Sequence, residues 1–173
     1  MIARIVIVAM LVVALLAGAS LYWLQEYAFY REEDLAAAGP VAVALRGGGA
    51  EELPVVSFQA IDSDSSPIRF RSCFTTDLDL AALAARAEPY EGAEPARPPR
   101  WFDCFDAVAE GGGIEAGAFQ AFLSAREVHP GVDRVVALRA DGRFGVAWNQ
   151  INPCGALVDE DERPARCTNP EGP

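Results

Sequence analysis

Fourteen arginines, one histidine, four cysteines and no lysine delimit the chemistry open to this 173-residue chain. Without lysine there is no P-loop lysine, no Schiff-base nucleophile and no phosphate-binding lysine of the kinase type, which argues against nucleotide-driven phosphoryl transfer. The 25 acidic residues bring the net charge to −11, which disfavours nucleic acid as a partner. The single histidine, His129, lies in His129-Pro130-Gly131. As a general base it needs a nucleophile within reach. No Gly-x-Ser-x-Gly elbow exists, and Ser63, Ser65, Ser66 and Ser124 occur in no nucleophile setting, so His129 reads as a helix-end or turn residue.

Oxygen and guanidinium clusters supply the remaining candidates. Asp62-Ser63-Asp64-Ser65-Ser66 resembles the start of a calcium loop, but the sixth position is Pro67 and the twelfth is Cys73 where the loop requires glycine and glutamate. These side chains are expected to close a turn. Arg69 and Arg71, two residues apart, share one face of an expected strand and suit either an anion pocket or salt bridges; the excess of acids favours salt bridges. Asp103 and Asp106 form a conceivable glycosidase-type carboxylate pair, although their aromatic neighbours read as core. Asp62, Asp64, Arg69, Arg71 and His129 are thus the possible ligand-binding residues, with no catalytic set, no metal and no cofactor expected.

Cys73, Cys104, Cys154 and Cys167 read as disulfides if the domain is exported. Four cysteines allow three pairings. Cys73 and Cys104 lie in aromatic segments whereas Cys154 and Cys167 share a Pro-, Asp- and Glu-rich tail, which favours 73 with 104 and 154 with 167. No pair has zinc-knuckle spacing, no C-x-x-C supports a thiol oxidoreductase, and no C-x-x-C-H supports covalent haem.

The elements that must position these groups begin with an apolar run, Ile5 to Leu24, long enough to cross a bilayer once. Arg4 precedes it and Arg31-Glu32-Glu33-Asp34 follows, so the positive-inside bias places residues 1–4 in the cytoplasm and residues 31–173 outside. Tyr22, Trp23, Tyr27, Phe29 and Tyr30 suit an interfacial aromatic belt. A cleaved signal ending near Ala17-Gly18-Ala19 is the competing reading, opposed by the apolar character that continues through Leu24 and by the weakly charged flank.

Residues 25–40 read as a juxtamembrane stalk, 41–152 as one α+β domain with a mostly antiparallel sheet and about two helices, and 153–173 as an acidic Pro-rich tail. Strands are expected at 41–45, 55–61 and 68–73. A capped helix is expected from Thr76 to about Ala87, and a second from Ile114 to Glu127 on the stripe Ile114, Ala118, Ala121, Phe122 and Ala125. Val132 to Arg139 and Phe144 to Ile151 flank Asp141-Gly142, a strong hairpin signal.

Several of these segments resemble one family: Ile61 to Arg71, Trp101-Phe102-Asp103-Cys104-Phe105-Asp106, His129 to Ala137 and Ala147-Trp148-Asn149-Gln150. They are similar to small single-span bacterial envelope proteins of unknown function, over residues 1 to about 152, with the cysteine-bearing tail outside the resemblance. Such proteins are sometimes labelled histidine kinases. The label does not suit a chain too short for a dimerisation helix pair plus an ATP-binding domain, with no Gly-rich nucleotide box and its histidine outside the cytoplasm.

The resulting expectation is an inner-membrane, single-pass protein with a periplasmic, non-catalytic domain that binds or positions another envelope protein. The alternative is a small-ligand or cation sensor, with a small hydrolase behind it.

Overall fold

The computed structural model describes residues 2–152. In chain order the elements are α1 (Ile2–Glu26), β1 (Arg31–Glu33), α2 (Leu35–Ala38), β2 (Ala42–Ala44), β3 (Ala50–Glu52), β4 (Ser57–Asp62), β5 (Arg71–Thr75), α3 (Leu80–Ala84), α4 (Ala107–Glu115), β6 (Phe119–His129), β7 (Val132–Arg139) and β8 (Phe144–Ile151). The 25 residues of α1 extend about 37 Å at the α-helical rise. None of its side chains is buried, and it is long and apolar enough to cross a membrane.

Six strands form one sheet in the order β1-β4-β5-β8-β7-β6, with every neighbouring pair antiparallel. Its middle strands are β5 and β8, and the β7–β8 hairpin has the bounds expected from alternation around Asp141-Gly142. The turn closes because Gly142 takes a positive φ of 68° and because Asp141 accepts from the Arg143 N–H and the Arg139 guanidinium. Both faces of the central strands are buried. Phe74, Val136, Leu138 and Ala147 face one core with Val41, Val43, Leu53, Leu80 and Leu83. Cys73, Val135, Ala137, Val146 and Trp148 face the other with Ile61, Phe102 and Phe105. The fold is therefore three layers: the β2–β3 hairpin with α3, the sheet, and the 88–115 segment that ends in α4. The Pro-rich stretch 88–100 is a loop, as its four prolines imply.

Close packing at the sheet centre depends on a residue without a side chain. A Cβ built on Gly145 meets Phe74 Cζ at 2.3 Å and Leu138 Cδ2 at 2.8 Å. Gly145→Ala is expected to lower unfolding free energy by about 1–3 kcal/mol through overpacking, measured by chemical denaturation in detergent.

Three expectations need correction. Residues 114–127 are not a helix: α4 ends at Glu115, the chain reverses at Gly117 with φ 75°, and Phe119–His129 is a strand paired with β7 from Phe119↔Arg139 to His129↔Val132. Small alanines at 118, 121 and 125 satisfy a helical stripe and a strand equally, and pairing with a distant strand decided between them. The segment 25–40 does not stand off as a stalk, because β1 adds an edge strand beside β4 with Arg31↔Asp62 to Glu33↔Ala60 in register, and α2 follows. The third concerns the 68–73 strand with one buried face: β5 starts at Arg71, and Arg71 to Phe74 are all buried. An additional strand, β3, pairs with β2 across Gly47-Gly48-Gly49, and α3 is capped by Asp79, three residues after Thr76.

Candidate functional site

The residues singled out from sequence do not converge. Cys73 and Cys104 form a disulfide that ties the 88–106 loop to β5, whereas Cys154 and Cys167 lie outside the described residues. Asp62 accepts from the Ser63 N–H at 2.7 Å and Ser63 Oγ bonds Ser65 Oγ at 2.7 Å, so this stretch closes the β4–β5 turn. Asp64 is engaged by both terminal nitrogens of Arg31. Among the described residues no three His, Cys, Asp or Glu side chains are grouped to hold a metal. His129 is exposed at the end of β6, opposite Val132 in a hairpin turn rather than at a helix end.

Arg69 and Arg71 depart from the salt-bridge expectation. Arg71 is 4% exposed and donates to three carbonyls, Ala96 at 2.6 Å, Ile68 at 2.7 Å and Phe70 at 2.6 Å. Burial pushes its pKa down to about 10, so it stays charged at neutral pH. Arg69 precedes the strand, and its guanidinium lies over the rings of Phe29 at 5.8 Å and Tyr30 at 5.3 Å.

A different set of residues does form a concave site. A groove of about 560 Å³ is lined by Glu32, Glu33 and Asp34 on one side, by Phe58, Gln59 and Ala60 of β4 behind, and by Trp101, Phe102 and Asp103 opposite. Its walls are held by separate local devices. Edge pairing of β1 with β4 fixes Glu32 and Glu33, and Asp34 caps α2 by accepting from the Ala37 N–H at 2.9 Å. The Trp101 indole N–H donates to the Glu26 carbonyl at 2.6 Å, the Arg100 N–H donates to Glu26 Oε2 at 3.0 Å, and the indole stacks on Tyr27. Four carboxylates beside three aromatic side chains suit an alkylammonium or guanidinium group, whose charge meets the acids while its stem packs on the rings. Asp103 belongs to this groove, but Asp106 does not pair with it in chemistry: Asp106 caps α4 through the N–H groups of Val108 and Ala109. Sequence reasoning missed Glu32 to Asp34 because they were placed in a stalk. The one available signal was an acidic run directly following the aromatic belt.

The α4 cap contains a second group that the sequence concealed. Glu110 is 4% exposed; its Oε1 accepts from the Asp106 N–H at 3.1 Å and its Oε2 has no partner. Burial pushes its pKa up to about 7, with the Asp106 N–H opposing and the Asp106 charge adding. A carboxyl with a raised folded pKa holds more protons folded than unfolded, so stability falls as pH climbs from about 4.5 to about 7 and then levels off. Glu110→Gln keeps the acceptor and cannot ionise. Its stability relative to the parent is expected to rise across that window, reaching on the order of 3 kcal/mol at pH 8, in denaturation curves recorded at successive pH values.

A family model described as a family of unknown function (DUF6446) matches residues 41–168. The match leaves out α1, β1 and α2, and it runs past the segments that carried the resemblance to include Cys154 and Cys167. No curated protein and no solved structure matches the chain.

Proposed function

The chain belongs to DUF6446, a family of unknown function, and we propose that it is a membrane-tethered, non-catalytic module that recognises a cationic segment of another envelope protein. The groove between β1 and Trp101 carries this reading, because four carboxylates and three aromatic side chains share that concavity close to α1. Placement of the domain outside the cytoplasm, in the periplasm of an inner-membrane protein, is supported by Arg4 ahead of α1, by the acidic run behind it and by the Cys73–Cys104 disulfide, which persists in oxidising compartments. The absence of lysine and the exposed turn position of His129 support a non-catalytic role. A groove of this volume also falls in the range of small-molecule sites, so a small organic cation is the second reading.

The test is photo-crosslinking in intact cells from a probe at Gln59, at the back of the groove. A specific adduct whose partner is attached through a Lys/Arg-rich segment is expected, reduced about tenfold in Glu32→Lys/Asp103→Lys because both changes place like charges against the partner. Undiminished capture by that variant would sink the groove assignment. Recovery of the protein alone, with raised thermal stability in the presence of organic cations, would move the reading to ligand sensing.

A further inference from the structure

We propose that the loop Arg97-Pro98-Pro99-Arg100-Trp101 docks the domain on the bilayer crossed by α1, its two arginines meeting the phosphate oxygens of anionic phospholipid headgroups. The geometry leaves the loop little room to stand elsewhere. Glu26 is the last residue of α1, and it holds this loop twice, through its carboxylate on the Arg100 N–H and through its carbonyl on the Trp101 indole. A ladder of rings continues the connection: Trp23 stacks on Tyr27 with centroids 5.1 Å apart, and Tyr27 on Trp101 at 6.4 Å. Trp23 lies one residue before the end of the apolar run, so Trp101 sits at the depth where amphipathic rings meet headgroups. Arg69 over Phe29 and Tyr30 ties the intervening chain to the domain, which converts a single-helix tether into a fixed contact.

Charge selects the occupant. Arg31, Arg86, Arg126 and Arg139 pair with carboxylates, and Arg46 and Arg71 are taken up by carbonyls. Arg97 and Arg100 are exposed and have no ion-pair partner among the described residues, although the chain carries 25 acids. On an otherwise acidic molecule, a membrane with negative surface potential repels most of the surface and attracts this spot, which orients the domain as well as holding it. Pro98 and Pro99 restrict the backbone between the two arginines, so little chain entropy is lost on docking. The inference rests on α1 spanning a bilayer; Trp101 also lines the groove, so the test is made with no protein to fill it.

The test uses the full chain in lipid nanodiscs with Trp23→Phe, leaving Trp101 and the fully buried Trp148 as emitters. Phosphatidylcholine brominated near the glycerol end of its acyl chains is expected to quench the emission that Trp101→Phe removes, and added phosphatidylglycerol is expected to increase the quenching. Each arginine near an anionic surface is worth roughly fivefold in the docking equilibrium, so Arg97→Gln/Arg100→Gln should abolish the increase. Its melting temperature should match that of the parent, since both side chains are exposed. Unquenched Trp101 in both lipids would overturn the docking, and an increase undiminished in the double variant would overturn the role of the arginines. No second protein is present, so failure of the groove reading leaves the result unaffected.

Discussion

Arg71→Met is expected to lower the free energy of unfolding by about 3–5 kcal/mol, a large fraction of what a domain of this size possesses. The methionine fills much of the volume, so the loss measures hydrogen bonding rather than a cavity. The carbonyls of Ile68, Phe70 and Ala96 would each lose a charged donor, and a buried acceptor without a partner carries its full desolvation cost. Arg71→Lys should recover only a minor part, because one compact ammonium cannot match the spread of a guanidinium that also lies 5.9 Å from the Phe105 ring. Trp148 stands directly opposite Arg71 in register and is fully buried, which makes its fluorescence the natural probe of the transition. A loss below about 1 kcal/mol would mean that water reaches these carbonyls and that Arg71 is not an organising residue.

Removing the Cys73–Cys104 bridge by Cys104→Ser is expected to destabilise by up to about 4 kcal/mol, from the chain-entropy cost of a loop closed across 31 residues. The bridge and Arg71 act on the same segment. Cys104 fixes one end of the loop over the second core, and the Arg71 bond to Ala96 holds its middle, so the two losses should not add. The double variant is expected to lose clearly less than the sum of the singles, because once the loop is released from one tether the other restrains less. Equilibrium denaturation of the two single variants and the double variant measures this coupling. Simple additivity would show that the loop is held by its apolar contacts, Phe102 and Phe105 against Trp148 and Val146, and that the tethers act separately.

The parts of this protein legible in its sequence are those whose signals are local. The N-terminal helix follows from a continuous apolar run long enough to cross a bilayer. The β7–β8 hairpin follows from two alternating stretches that share one turn, whose backbone geometry Asp141-Gly142 supplies locally. The Cys73–Cys104 pairing followed from aromatic surroundings that marked both cysteines as core neighbours. The α+β class and the mostly antiparallel sheet followed from these same elements.

Tertiary structure decided the rest, in each case because a residue's partner lay far along the chain. Phe119 to His129 carries a pattern compatible with either period, and only β7 made it a strand. Arg31 to Glu33 is too short and too charged to announce itself as a strand, yet a vacant edge beside β4 recruits it. That pairing, together with the hold of Glu26 on Trp101, brings an acidic run and an aromatic loop about 70 residues apart into one groove. Arg71 followed the same logic in reverse: an excess of acids in the composition suggested a salt bridge, and burial beneath the 88–106 loop gave it backbone carbonyls instead. Composition governs which partners are available on average, whereas desolvation and strand pairing determine which of them a given side chain meets.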